Sequence, residues 1–143
     1  MPERINAGPV SIPRIDGWDD RTMLTMVGPN TEGAQPNVVV TREALCDNLG
    51  LGGFSTGWVQ KLADQVPVRE TRDVEHIEIA GSPAHLRLVE WEAAGLRLRQ
   101  LVGLTTIDGD GYAIVCTVPS VQFDELEPQL RAVIEGTQIG RAG

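Results

Sequence analysis

Four runs of alternating apolar residues, at 74–80, 84–92, 95–107 and 111–118, follow one another with almost nothing between them. Only Gly81-Ser82 with Pro83, Ala93-Ala94 and Asp108-Gly109-Asp110 separate them. A parallel crossover needs about a dozen connecting residues, so these runs pair antiparallel as a four-strand meander. If Gly81-Ser82 makes the first turn, Ile77 faces Leu86, Glu78 faces His85 and His76 faces Arg87. With Ala93-Ala94 as the second turn, Glu90 faces Arg97 and Trp91 faces Leu96. In the third run Leu96, Leu98, Gln100, Val102 and Leu104 share a face, four aliphatic side chains and one amide. An unpaired buried amide costs about 1–3 kcal/mol, so Gln100 is the residue in that row that asks for an explanation.

The flanking chain adds strands and two helices. Pro9 and Pro13 confine 10–15 to an edge strand or extended arm. Residues 22–27 and 37–41 read as a strand pair joined by a loop rich in proline and glycine. The stretch 42–45 suits a brief helical turn, and the glycines of 47–53 argue against its continuing. Phe54, Trp58, Val59 and Leu62 fall at helical spacing, which predicts a helix over 54–65 that stops before Pro67. After Pro119, Ser120 or Asp124 can cap a last helix that buries Phe123, Leu126, Leu130 and Val133. Pro128 suits only its first turn, Gly136 its end, and a flexible tail follows from about 137. The sum is an α+β fold, one domain over 1–143, with an antiparallel twisted sheet of about six to seven strands covered by two helices.

With 20 acidic against 12 basic residues the chain carries a formal charge of -8, which repels phosphate backbones and anionic membrane surfaces. The expected partners therefore include no nucleic acid, and no direct membrane insertion is expected. The opening residues lack the apolar core of a signal peptide, which makes the cytoplasm the expected location. Cys46 and Cys116 lack C-x-x-C spacing and are expected as reduced thiols.

Motifs for chemistry are sought and not found. Asp108-Gly109-Asp110-Gly111 opens like a calcium loop, but Ala113 and Pro119 occupy the positions that need Gly and Glu. Gly50-Leu51-Gly52-Gly53 lacks the Lys-Ser/Thr of a phosphate-binding loop. His76 and His85, beside Glu75 and Glu78, lack ligand spacing and a third partner, so they read as solvated or hydrogen-bonded sheet histidines. Glu90, Glu92, Glu125, Glu127 and Glu135 read as a solvated surface. No serine lies in G-x-S-x-G. The expectation is a non-enzyme with no catalytic residue, metal or cofactor.

The residues Pro13, Trp18, Asp20-Arg21-Thr22, the run from Asn37 to Glu43, Gly81-x-Pro83-Ala84, Gln100, and Tyr112 through Thr117 resemble, in order along nearly the whole chain, the DcrB-related family. That family includes the Eag chaperones of bacterial type VI secretion. The resemblance implies a PsbP-like sandwich and a homodimeric chaperone or adaptor that holds the apolar N-terminal helices of a secreted toxin before export. In that role Leu96, Leu98, Val102 and Leu104 bury the client, Gln100 satisfies a polar group on it, and Leu24 and Met26 extend the groove. The alternative is that these are ordinary core residues beneath the helices, the favoured reading for Leu104 and Met26. Val133-Ile134-Glu135-Gly136-Thr137 is also similar to LpqN-type envelope lipoproteins, which implies a binding scaffold as the second function.

Overall fold

The computed structural model describes residues 4–7, 9–13, 15–16, 24–29, 35–45 and 49–140. The expectations for Trp18, Asp20, Arg21, Thr22 and Cys46 lie outside these. Strands β1 (Arg4–Ala7) and β2 (Val10–Pro13) form a two-stranded antiparallel sheet of their own. The main sheet has seven strands: β3 (Leu24–Val27), β4 (Asn37–Ala44), β5 (Arg69–Glu70), β6 (Glu75–Ile79), β7 (Ser82–Ala93), β8 (Leu96–Ile107) and β9 (Asp110–Pro119). Their order is β3-β4-β9-β8-β7-β5, with β6 also on β7, and every pairing is antiparallel. Helices α1 (Leu51–Ala63) and α2 (Ser120–Glu135) complete the α+β fold.

The meander forms as expected, but its first turn sits one residue earlier and its second one residue later than the apolar runs suggest, while the third falls within Asp108-Gly109-Asp110. Ala80-Gly81, Ala94-Gly95 and Asp108-Gly109 all have positive φ, from 53° to 82°. Each is a two-residue turn with both central residues left-handed, the geometry whose twist matches the flanking strands and which takes glycine second. Ser82 is therefore a strand residue opposite Ile79, and His76 lies opposite His85 rather than Arg87. In the next hairpin Glu90 lies opposite Arg99 and Trp91 opposite Leu98. Residues 42–44 extend β4 instead of forming a helical turn, because they pair with Tyr112, Gly111 and Asp110 of β9.

Alternation divides the sheet into two faces, each with one helix. Leu101, Ile114, Cys116, Val118, Leu88 and Val38 point to one side, where Phe123, Leu130 and Ile134 of α2 complete the larger core. The helix buries Ile134 more deeply than Val133, and Pro128 sits in its interior, not its first turn. Beyond α2, Ile139 packs against the same core. On the other side Val102, Leu104 and Ala113 meet Phe54 and Trp58 of α1. That helix begins at Leu51 despite Gly52 and Gly53, because Phe54 lies flat over Gly111, where a Cβ would stand 2.6 Å from the ring. Tertiary packing outweighs the weak helix propensity of glycine here.

Charged groups lock both helices down. Arg87, buried beside α1, donates through Nε to Ser55 Oγ at 2.7 Å and pairs with Glu70. On the α2 side, Glu90 accepts from Arg99 Nε at 2.8 Å and Arg69 Nη2 at 3.0 Å, with Ser120 Oγ at 3.3 Å. Its side chain is only 6% exposed, which corrects the expectation of a solvated carboxylate. Arg99 and Arg72 lie 5.3 and 5.5 Å from the centre of the Phe123 ring, a cationic lid over the core. Arg131 spans from Glu127 to Glu75, tying α2 to β6. Cys116 is free and wholly buried, and that burial pushes its thiol up to about 12, so it is inert.

The two outer edges of the main sheet differ. Along β7, the edge strands β5 and β6 carry Arg69, Glu70, Glu75, His76 and Glu78. At the opposite end β3 reads Leu-Thr-Met-Val and all four residues are exposed.

Two measurements follow from this packing. Gly103 lies beneath α2, where an added Cβ would stand 2.5 Å from Ile134 Cγ2 and 2.9 Å from Ile79 Cδ1. Gly103→Ala is expected to lower stability by about 1–3 kcal/mol in urea denaturation, because both neighbours are fixed in the core. The Arg99 guanidinium, with Arg69 and Ser120, holds the Glu90 carboxyl at about 2, below its ordinary 4.5. A lowered folded-state pKa stabilises fully above the unfolded value and is lost as pH falls through the folded one. Wild type should therefore lose more stability than Glu90→Gln as pH falls from about 4.5 to about 2, read by acid titration of the urea midpoint.

Candidate ligand-binding face

The α1 helix does not reach the whole of its face. Val102 and Leu104 are completely buried beneath Phe54 and Trp58, whereas Leu96, Leu98 and Gln100, further along the same row, are half-buried. Val102 is therefore a core residue and not a partner contact, and Leu104 is core as favoured. Register extends this row across the sheet. Val89, Gln100, Thr117, Asn37 and Val27 are successive cross-strand partners from β7 to β3; Val89 is wholly buried, the three neutral polar residues are half-buried and Val27 is exposed. Beside it lie half-buried Trp91 and Leu98 and buried Pro119, also in register, and on the other flank Val115, which packs against the α1 core, and Val39. None of these side chains carries a charge.

Gln100 sits in the middle of this line and is satisfied on one side only. Its Nε2 donates to Thr117 Oγ1 at 2.8 Å, while its Oε1 is buried without a donor. Rotating the amide by half a turn exchanges the two atoms and leaves one of them without an internal partner. An unpaired buried acceptor costs about 1–3 kcal/mol, so this one would gain from an N–H or O–H donor that reached it.

Leu24 and Met26 belong elsewhere. They pair with Val40 and Val38, which point to the α2 core, so both face the side of the sheet opposite Gln100. They are 72% and 55% exposed, and Met26 borders a cleft of about 570 Å³ between β3 and α2. The expected continuous groove from Leu96 to Met26 is thus corrected: alternation along β3 turns Thr25 and Val27 to the Gln100 side instead. Trp91, Asn37, Val39 and Thr117 are the residues of that face not picked out as contacts from sequence, and the register supplies them. A second cleft, about 340 Å³ and floored by Phe54, Trp58 and Gly111, opens between α1 and β4, where Lys61 pairs with Glu43 at 3.6 Å.

The sequence profile of the DcrB family matches residues 8–136. The chain belongs to the DcrB family. Among solved structures, this DcrB domain is similar to PA94 of Pseudomonas aeruginosa, a protein of unknown function, with a TM-score of 0.77, 16% identity and 99% of both chains covered. It is similar to cyanobacterial PsbP (CyanoP) of Synechocystis sp. PCC 6803, at a TM-score of 0.55 and 11% identity, over 92% of this chain and 88% of that one. LpqN of Mycobacterium tuberculosis, involved in cell envelope biogenesis, matches at 0.54 and 11% identity over 85% of each. No protein with a curated description matches. These likenesses establish the PsbP-like fold expected from sequence. Among the described residues of the DcrB domain, no helix is long and apolar enough to cross a membrane.

The half-satisfied amide has a measurable cost. Gln100→Leu removes the unpaired acceptor while keeping the volume, and is expected to raise stability by about 1 kcal/mol in urea unfolding.

Proposed function

We propose that this DcrB domain is a non-enzymatic binding adaptor whose α1-side face, beyond the end of α1, takes up an apolar segment of another protein. The observation that carries the reading is the Gln100 amide: a neutral, half-open line of side chains holds a buried acceptor that the chain itself does not pair. Such a surface suits an uncharged helix or extended segment with one hydrogen-bond donor among aliphatic residues. The finer reading is a cytoplasmic chaperone, working as a homodimer, for the apolar N-terminal helices of a secreted toxin such as a type VI secretion effector. The resemblance of the residues around Gly81, Gln100 and Tyr112 to the DcrB-related family, which includes the Eag chaperones, supports it. The second reading, a binding scaffold at the cell envelope, draws on the fold likeness to LpqN.

The two faces make the test specific. In co-expression with N-terminal fragments of toxins encoded nearby, the wild-type domain is expected to co-purify with its apolar fragment. Leu98→Asp should abolish capture and Gln100→Leu should weaken it several-fold. Met26→Asp, on the other face, should leave it unchanged. Failure to retain any apolar N-terminal fragment would overturn the chaperone reading.

A further inference from the structure

The one-residue placement of the first meander turn has a chemical result. Had Gly81-Ser82 formed the turn, His76 would face Arg87; with Ala80-Gly81 it is paired directly with His85 on the neighbouring strand. The two imidazoles meet edge to face, with ring centres 4.9 Å apart and planes at 85°. Two imidazoles sharing one tetrahedral ion, at metal–nitrogen distances near 2.0–2.1 Å, place their ring centres about 5 Å apart, so the pair has the span a shared ion needs once a ring turns about its broad χ2 to aim its nitrogen. His85 Nδ1 is buried and has no hydrogen-bond partner, while His76 on the edge strand is exposed and gives access to the pair.

We propose that His76 and His85 form a cross-strand two-histidine site for a borderline divalent cation such as Zn²⁺. Imidazole nitrogen suits Zn²⁺, Ni²⁺ and Cu²⁺ over the oxygen-seeking Mg²⁺ and Ca²⁺. Arg87 itself is turned to Ser55 and Glu70 and does not occupy the lone pair. No third His, Cys, Asp or Glu joins the pair among the described residues, so water fills the remaining positions. The ion bridges β6 to β7 and adds a cross-link to the edge of the sheet that Arg131 already ties to α2 through Glu75.

The test is titration of the full chain with ZnCl₂, followed by calorimetry and by the imidazole resonances, in a Cys46→Ser background that removes a competing thiol. One ion per chain is expected, with both histidine side chains shifting together. His76→Ala should weaken binding about ten-fold or more, since one of two protein ligands is lost. His76→Cys, which restores a ligand atom, should recover it. His76 is exposed, and circular dichroism checks that each variant keeps the fold. Absence of binding, or binding unchanged in His76→Ala, overturns the site.

Discussion

Everything specific in this molecule depends on where three short turns fall. Each puts a non-glycine residue and then a glycine into the left-handed region, which closes the hairpin with no slack and fixes the strand register residue by residue. A slip by one position would turn every side chain of the moving strand to the other face. The Glu90–Arg99 pair, the Gln100–Thr117 bond and the His76–His85 contact are all cross-strand neighbours set by those turns. Three glycines thereby decide which charges neutralise one another and which polar groups are left over.

The sheet uses its two faces differently. The α2 side is closed by a sixteen-residue helix, a large aliphatic core and a ring of arginine–carboxylate pairs. The α1 side has a smaller core, a thirteen-residue helix held by Phe54, Trp58 and the Arg87–Ser55 bond, and then an uncovered remainder. Burial decides roles within one row of β8: Val102 and Leu104 complete the fold, while Leu96, Leu98 and Gln100 remain half-buried beyond the helix. An amide left half-paired there weakens the fold locally.

Much of this was legible in the sequence. Period-two alternation gave the meander, β9 as a central strand and the row containing Gln100, and the resemblance along the chain gave the family. The failures have physical causes. Apolar runs mark strand ends poorly and point to Gly81-Ser82 and Ala93-Ala94, whereas glycine as the second of two left-handed residues marks the turns well. Propensity penalises Gly52 and Gly53 and so hides the start of α1; only the contact of Phe54 with Gly111 offsets that. Glu90 looked solvated because the arginines around it come from β5 and β8, far away in sequence. Leu24 and Met26 were joined to the wrong face because side-chain direction on β3 is inherited from its pairing with β4, which composition does not reveal.

The unequal edges of the main sheet give the molecule a direction. On the β5 and β6 side an approaching strand would have to strip water from arginine, glutamate and histidine before bonding, a standard defence against open-ended stacking. The β3 side, with leucine, threonine, methionine and valine all in solvent, offers no such resistance. Among the described residues, the main sheet thus ends in a hydrated, charged border on one flank and an apolar one on the other.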